Sequence, residues 1–211
     1  MSDTLVVARG EFSMEDPWAI PPACTAVRLR RATDGAAPRL STTVSAYFDD
    51  DHFTAVFCCA DDHIVATMLQ HDDPLYDEDV VEVFLAPRGR SEYFEIEVSP
   101  MASTFDARIE SPGGVRESMR VDLEWECDGL VAAVRKTIEA RRVLSLDTVI
   151  RVPFASVGCP APRNGDSWNA NFFRIDRHPS EGDEYSAWRP TMREPADFHV
   201  TAAFGRLLFQ A

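Results

Sequence analysis

Short runs in which apolar and polar residues alternate recur along the chain. The run 93–98 shows this most cleanly, because Phe94, Ile96 and Val98 alternate with polar or amphipathic neighbours. A period of two residues is typical of a β-strand that packs one face against a core. Similar runs, alternating or continuously apolar, predict further strands over residues 44–48, 53–59, 79–86, 105–110, 121–127, 130–138, 146–153, 169–175 and 204–209.

Turn-forming residues separate these runs and predict how some of the strands are connected. Three aspartates and a histidine, residues 49–52, join the first two runs and predict a hairpin. Asp128-Gly129 joins the runs 121–127 and 130–138 and predicts a second hairpin. Helical patterns are few and short. The sequence therefore predicts an all-β, antiparallel β-sandwich of the jelly-roll or immunoglobulin-like type.

Length and composition favour one domain. The chain has 211 residues, of which 45% are hydrophobic, enough to fill the core of one large sandwich. No low-complexity linker or change in composition divides it. We therefore expect a single domain over residues 1–211, with residues 1–41 forming an irregular lead-in packed on the sandwich.

The charge of the chain restricts its partners. The formal net charge is −14, and no basic stripe offsets it. A polyanion such as nucleic acid, or an anionic membrane surface, would be repelled by such a protein. No apolar run reaches the length of a membrane span, so no membrane insertion is expected. A neutral or cationic ligand remains compatible with this charge.

Cysteines and the N-terminal residues bear on the cellular compartment. The five cysteines are odd in number and show no CxxC spacing, which is typical of reduced thiols rather than of a zinc site. The first residues lack the basic and apolar segments of a secretory signal. Both observations allow a reducing compartment, and the localisation stays open.

A tryptophan in a polar loop suggests the type of ligand. Trp188 lies near Tyr185 and Pro190, in a segment that is not an obvious part of a core. A flat apolar ring beside carboxylates and amides suits a sugar, which has apolar C–H faces and a rim of hydroxyls. The alternative is that Trp188 fixes its loop to the edge of the sheet.

The order of several motifs resembles a known family. The run 75–85 (LYDEDVVEVFL) is followed by 93–100 (YFEIEVSP), 152–154 (VPF), 165–174 (GDSWNANFFR), 188–190 (WRP) and the pairs Phe198-His199 and Phe204-Gly205. Together these motifs resemble carbohydrate-binding module family 9, in its module-like branch. The resemblance extends from about residue 42 to the C-terminus. It implies a β-sandwich related to the DOMON superfamily and a location outside the cell for most members.

The resemblance also implies a binding site. In family members attached to xylanases, two aromatic rings enclose a terminal sugar and a carboxylate binds its hydroxyls. These positions correspond here to Tyr76, Glu82 and Trp188, with tyrosine in place of the more usual tryptophan at the first position. Asn171 and Arg174 are expected to add hydrogen bonds. The implied ligand is a plant-type saccharide such as a xylan or cellulose fragment, bound without catalysis.

Two other functions remain open at this point. One is an interaction or scaffold module of the same fold, in which Glu82 is paired with Arg174 in a structural salt bridge. The other is a glycan hydrolase, since Glu95 and Glu97 share a strand face and glycosidases use paired carboxylates. Neighbouring acids on one strand face are also typical of a solvated face, which is the interpretation favoured here.

No metal ligand or catalytic residue is assigned from the sequence. Calcium is the one cofactor left open, because Asp49, Asp50, Asp51, Asp61 and Asp62 offer the oxygen ligands that it prefers. The five histidines show no metal-binding spacing. Haem, which some DOMON-type sandwiches bind through histidine and methionine, is a minor alternative, and no haem-attachment motif is present.

Overall fold

Fourteen β-strands account for the regular structure of the described residues. A computed structural model describes residues 3–114 and 116–211, while Met1, Ser2 and Val115 lie outside the described part. The strands are β1 Thr4–Arg9, β2 Ala26–Arg28, β3 Arg30–Arg31, β4 Thr42–Phe48, β5 His52–Ala60, β6 Val80–Ala86, β7 Glu92–Val98, β8 Thr104–Glu110, β9 Arg120–Asp122, β10 Val131–Glu139, β11 Arg142–Pro153, β12 Ser167–Asp176, β13 Glu184–Ala187 and β14 Gly205–Gln210. Short 3-10 helices cover Leu75–Asp77, Arg116–Ser118 and Thr201–Ala203. Among these residues, no helix has the length and apolarity needed to cross a membrane.

The strands form one continuous ladder that folds over into two layers. Their order is β10-β11-β5-β4-β1-β14-β12-β6-β7-β8-β9, with β2, β3 and β13 paired at the sides. Aromatic side chains from the two halves meet between the layers: Phe57 of β5 lies 6.1 Å from Phe172 of β12, centroid to centroid. Phe48 of β4 packs edge-on against Phe209 of β14 at 5.2 Å. The predicted all-β sandwich is confirmed.

The first strand departs from the predicted irregular lead-in. β1 inserts between β14 and β4 and pairs in parallel with both. Leu5 and Val7 are buried in the core between the layers, and their burial holds this strand in the middle of the ladder. The expectation that residues 1–41 are irregular is therefore wrong for residues 4–9.

The two predicted hairpins have different outcomes. Strands β4 and β5 form the expected hairpin, with Phe48 opposite Phe53. Asp128-Gly129 forms a turn, but the strands on its two sides do not pair: β9 pairs with β8, and β10 pairs with β11. The hairpin between β10 and β11 turns instead at Ala140-Arg141, where both residues have positive φ, 47° and 66°.

The layer that contains β12, β6, β7 and β8 has apolar clusters on both faces. Its inner face packs on the core between the layers. Its outer face carries a second cluster, in which Phe84 of β6 lies 4.9 Å from Phe173 of β12. Phe198, from the segment after β13, stacks on Phe173 at 4.2 Å. The C-terminal segment therefore covers part of this outer face and leaves a hollow beside the covered part.

Candidate functional site

The hollow on the outer face is a pocket of about 430 Å³. Aromatic side chains supply much of its wall, and two carboxyl groups lie at its floor. An apolar wall with a few convergent polar groups is the usual composition of a small-molecule site. The residues that matter most for its chemistry are Tyr76, Glu82, Glu95, Phe105, Arg116, Tyr185, Asp197 and Phe198.

The floor is formed by neighbouring positions on β6 and β7. Glu82 lies opposite Glu97 in the strand register, and Glu95 lies two residues before Glu97. Alternation along the strands directs all three side chains to the outer face. One oxygen from each carboxyl group lies within 4.8 Å of the other two. Glu82 and Glu95 line the pocket, whereas Glu97 does not.

These carboxyl groups are buried, unlike the solvated face expected for Glu95 and Glu97. Their exposed fractions are 2% for Glu82, 7% for Glu95 and 0% for Glu97. Glu97 has no hydrogen-bond partner outside the cluster among the described residues, and its partner within the cluster is Glu95. The solvated interpretation is therefore wrong, because the second apolar cluster covers this face.

Burial changes the acidity of the whole group. It raises the pKa of Glu95 to about 7. It also raises the pKa of Glu82 and of Glu97 well above the usual range, and each of these is raised further by the neighbouring carboxylates. Desolvation disfavours a charged carboxylate, and like charges nearby do the same. The floor therefore retains protons near neutral pH.

Tyr76 provides one aromatic ring at the pocket. It lies in the 3-10 helix Leu75–Asp77, which the fully buried Leu75 anchors to the sheet. The Tyr76 side chain is 45% exposed, and its ring meets the ring of Phe105 edge-on at 5.8 Å. A half-exposed ring held from one side can offer its free surface to a ligand.

Tyr185 provides a second ring, which the sequence analysis did not assign to the site. It lies on β13, opposite Ile175 of β12, and packs edge-on against Phe198 at 6.1 Å. Its side chain lines the same pocket as Tyr76. In the sequence, the signal for Tyr185 is its position near Trp188, in the same polar segment.

Arg177 connects the two tyrosines. Its Nη2 donates to the carbonyl oxygen of Tyr76 at 2.8 Å, and its Nη1 donates to the Tyr185 hydroxyl at 2.6 Å. The guanidinium also bonds to Asp183 at 2.6 Å and lies 5.2 Å from the centre of the Tyr185 ring. Arg177 thereby holds the backbone at Tyr76 and the side chain of Tyr185.

Trp188 lies in the core and not at the pocket. Its side chain is 2% exposed and its ring stacks on Phe172 at 5.5 Å. The ring also covers Gly205 so closely that an added Cβ there would lie 2.5 Å from it. Trp188 lies three residues after Tyr185, so the alternation of β13 places the two rings on opposite faces. The expectation that Trp188 stacks on a ligand is wrong.

Arg174 belongs to a structural network on the inner side. It is 5% exposed, and its Nη2 donates to Oδ2 of Asp61 at 2.7 Å. Its Nη1 donates to the carbonyl oxygen of Ala60 at 2.7 Å. In the strand register Glu82 lies opposite Phe173, so Arg174 projects from the other face. Both the expected ligand contact of Arg174 and its expected pairing with Glu82 are wrong.

Asn171 also has a structural role. It is fully buried, and its Nδ2 donates to the carbonyl oxygen of Arg189 at 2.9 Å. Its Oδ1 accepts from the backbone N–H of Arg189 at 2.9 Å. These two bonds attach the segment after β13 to β12. The side chain is fully buried and does not line the pocket.

The aspartates considered for calcium are occupied by other partners. Asp49 accepts from Arg151 at 2.6 Å and from backbone N–H groups of its own turn. Asp61 instead lies near Asp79 and Asp176 in a buried group, where Arg174 supplies the positive charge. Backbone N–H groups of residues 63, 65 and 177 donate to the oxygens of Asp61 and Asp79. Arg174 and these N–H groups stabilise the three buried aspartates, and calcium binding stays a prediction.

Comparison with known families identifies the family of this chain. The model of carbohydrate-binding family 9 matches residues 37–209, which include the pocket and its floor. The chain belongs to carbohydrate-binding family 9. This is a family of non-catalytic carbohydrate-binding modules, so the paired carboxylates at the pocket floor are not the acid and base of a hydrolase.

Solved structures share the fold of this family 9 module at low sequence identity. A Bacteroides uniformis protein proposed to bind carbohydrate has a TM-score of 0.69 and 14% identity, covering 98% of this chain and 99% of that chain. A family 9 module from Caldicellulosiruptor kristjanssonii in complex with cellotriose has a TM-score of 0.62 and 11% identity, covering 99% and 94%. The same source provides a family 9 module in complex with glucose, with a TM-score of 0.63 and 12% identity, covering 99% and 96%. No curated protein matches the chain.

Proposed function

We propose that this family 9 module binds a saccharide in the pocket flanked by Tyr76 and Tyr185. The observation that carries the proposal is the geometry of the pocket itself. Two tyrosine rings line a hollow of about 430 Å³ whose floor presents Glu82 and Glu95, and Arg177 bonds to the Tyr76 backbone and to the Tyr185 hydroxyl. The aromatic pair is therefore Tyr76 with Tyr185, and not Tyr76 with Trp188.

The chemistry of the pocket suits a sugar. A tyrosine ring that stacks on a sugar removes apolar C–H surface from water and leaves the hydroxyls free for polar partners. Sugar hydroxyls both donate and accept hydrogen bonds. A carboxyl group near its pKa can do the same, because its protonated form donates and its ionised form accepts. Glu95, with its pKa raised to about 7, has this property near neutral pH.

The proposed ligand is a glucose-containing or xylose-containing oligosaccharide of plant origin. Family 9 modules of Caldicellulosiruptor kristjanssonii share the fold and are solved with glucose and with cellotriose. This supports cellulose fragments as first candidates and keeps xylan fragments as the second. The pocket is in the size range of sites for small ligands, which span about 300–1,000 Å³.

Titration calorimetry on variants tests the assignment of the rings. Tyr76→Ala and Tyr185→Ala should each weaken the binding of cellotriose by about tenfold or more, because each removes one stacking surface. The control is Ile138→Ala, which removes an exposed apolar side chain on β10, at the other end of the strand ladder. The melting temperature of Tyr76→Ala should change little, since the ring is 45% exposed.

The result that would contradict the proposal is unchanged affinity in both tyrosine variants. Absence of binding by the wild-type protein to glucose, cellulose fragments and xylan fragments would favour the scaffold function, in which the fold is kept without a sugar site.

A further inference from the structure

The carboxyl cluster Glu82, Glu95 and Glu97 lies at the pocket with no cationic side chain bonded to it among the described residues. Its oxygens approach within 4.8 Å, and all three side chains are more than nine-tenths buried. The carboxyl group of Glu82 lines the pocket, is 2% exposed and has no hydrogen-bond partner among the described residues. An unpartnered carboxyl group in such a place is costly, so it points to a group that the pocket receives from outside.

The arginines near the pocket are already engaged elsewhere. Arg116 forms a salt bridge with Asp197 at 2.9 Å, and Arg177 forms one with Asp183 at 2.6 Å. Their influence on the cluster is electrostatic attraction without a direct contact: Arg177 lowers the pKa of Glu82, and Arg116 lowers that of Glu95. In the described part of the chain, no lysine or arginine forms a salt bridge with any of the three glutamates.

Other titratable groups around the cluster do not supply a positive charge. Asp77 adds a negative charge near Glu97. His199 lines the pocket, but burial lowers its pKa to about 4, so it is neutral under ordinary conditions. Tyr93, on the same face of β7, lies in hydrogen-bond contact with His199 at 2.8 Å. Tyr76, whose pKa burial raises, is also neutral.

We infer that the pocket prefers a saccharide that carries a protonated primary amine, such as a 2-amino-2-deoxyhexose, over the matching neutral sugar. This inference rests on the proposed function and specifies its ligand class. A protonated amine is a compact charge with three N–H donors, and the pocket offers it the carboxyl groups of Glu82 and Glu95, with Glu97 close to both. The rings of Tyr76 and Tyr185 at the same pocket add favourable cation–π contacts.

The same charges disfavour other saccharides. An N-acetylated sugar has lost the positive charge and gained bulk, so it cannot neutralise the cluster. A uronic acid would add a fourth carboxylate and be repelled. A neutral hexose can bond to Glu82 and Glu95, but it brings no positive charge that would stabilise their ionised forms.

Binding of the amine should release protons. Near neutral pH the cluster retains protons that an incoming ammonium group displaces. The preference for the amino sugar should therefore increase from about pH 5 to about pH 7, as Glu95, whose pKa burial raises to about 7, ionises. It should decrease again at higher pH, where the free amine itself loses its proton.

Titration calorimetry with glucosamine, glucose and N-acetylglucosamine tests the inference directly on the wild-type protein. We expect glucosamine to bind at least about tenfold more tightly than glucose at neutral pH, and N-acetylglucosamine to bind no better than glucose. In Glu97→Gln, the ratio of the two affinities should decrease severalfold. The matched control is Glu139→Gln, which removes the same charge from an exposed position on β10 and should keep the wild-type ratio.

The other outcomes separate a failure of the inference from a failure of the proposed function. Equal affinity for glucose and glucosamine would overturn the inference and leave the proposed function intact. Binding of calcium ions that Glu97→Gln abolishes, without a preference for glucosamine, would show that the cluster takes a metal and would also overturn it. If none of the three sugars and no cellulose or xylan fragment binds, both the inference and the proposed function are wrong.

Discussion

Tyr185 and Trp188 lie three residues apart and occupy opposite faces of the same sheet. Tyr185 lines the pocket, while Trp188 stacks on Phe172 inside the core. The difference follows from alternation along β13, which begins at Glu184. That strand has four residues, too few to show a periodic pattern. The sequence therefore identified the correct segment but could not show which of its rings faces a ligand.

Replacing Trp188 should lower the stability of the fold, because its side chain packs in the core and does not line the pocket. Trp188→Ala should lower the free energy of unfolding by about 3–5 kcal/mol, because it leaves a cavity between Phe172 and Gly205. Urea denaturation measures this loss. Tyr76→Ala, the comparison variant, should lose less than about 1 kcal/mol. Similar small losses in both variants would contradict the core position of Trp188.

The pairing of β6 and β7 determines the floor of the pocket. Alternation correctly predicted that Glu95 and Glu97 share a face, and along β6 the same alternation places Glu82 on the face of Phe84. It could not predict that this face is buried. The cover comes from Phe198, which is about a hundred residues away in sequence, and no local pattern reveals such a contact.

The hairpin between β10 and β11 offers a prediction at the level of one element. Ala140 and Arg141 both have positive φ, a conformation that costs energy for residues with a side chain. The double substitution Ala140→Asn with Arg141→Gly should raise the free energy of unfolding by about 1 kcal/mol, since Asn-Gly is preferred in two-residue turns with this geometry. Thermal denaturation should show a higher melting temperature. A lower one would contradict the described turn.

At the scale of the whole molecule, the fold class could be predicted and the order of strands could not. Many short alternating runs and few helical patterns were enough to predict the sandwich. The parallel insertion of β1 between β4 and β14 depends on contacts between the two ends of the chain. Leu5 and Val7 show only that this segment is apolar, and not which strands it joins.

The buried acids give the whole molecule a specific response to pH. Burial raises the pKa of Asp61 and Asp106 to about 6, and of Asp79 and Glu95 to about 7. The stability that each contributes is fully present below its unfolded pKa and is lost as the pH rises through its folded pKa. His199, with its pKa lowered to about 4, acts in the opposite direction and costs stability as the pH falls below its unfolded pKa.

In the pH range where both effects act, these four carboxyl groups change the stability more than His199 does in the opposite direction. The melting temperature should therefore be higher at about pH 5.5 than at about pH 7.5. Differential scanning calorimetry across this range is the appropriate measurement. A melting temperature that increases steadily up to about pH 7.5 would show that these carboxyl groups are not buried as described.

A crystal structure of the protein with bound cellotriose would test the central claim most directly. The account predicts a sugar ring between Tyr76 and Tyr185, with its hydroxyls in hydrogen-bond contact with Glu82 or Glu95. Trp188 should stay buried against Phe172, with its place in the core unchanged by the ligand. A sugar bound at another surface of the sandwich, with the pocket between the two tyrosines empty, would contradict the account.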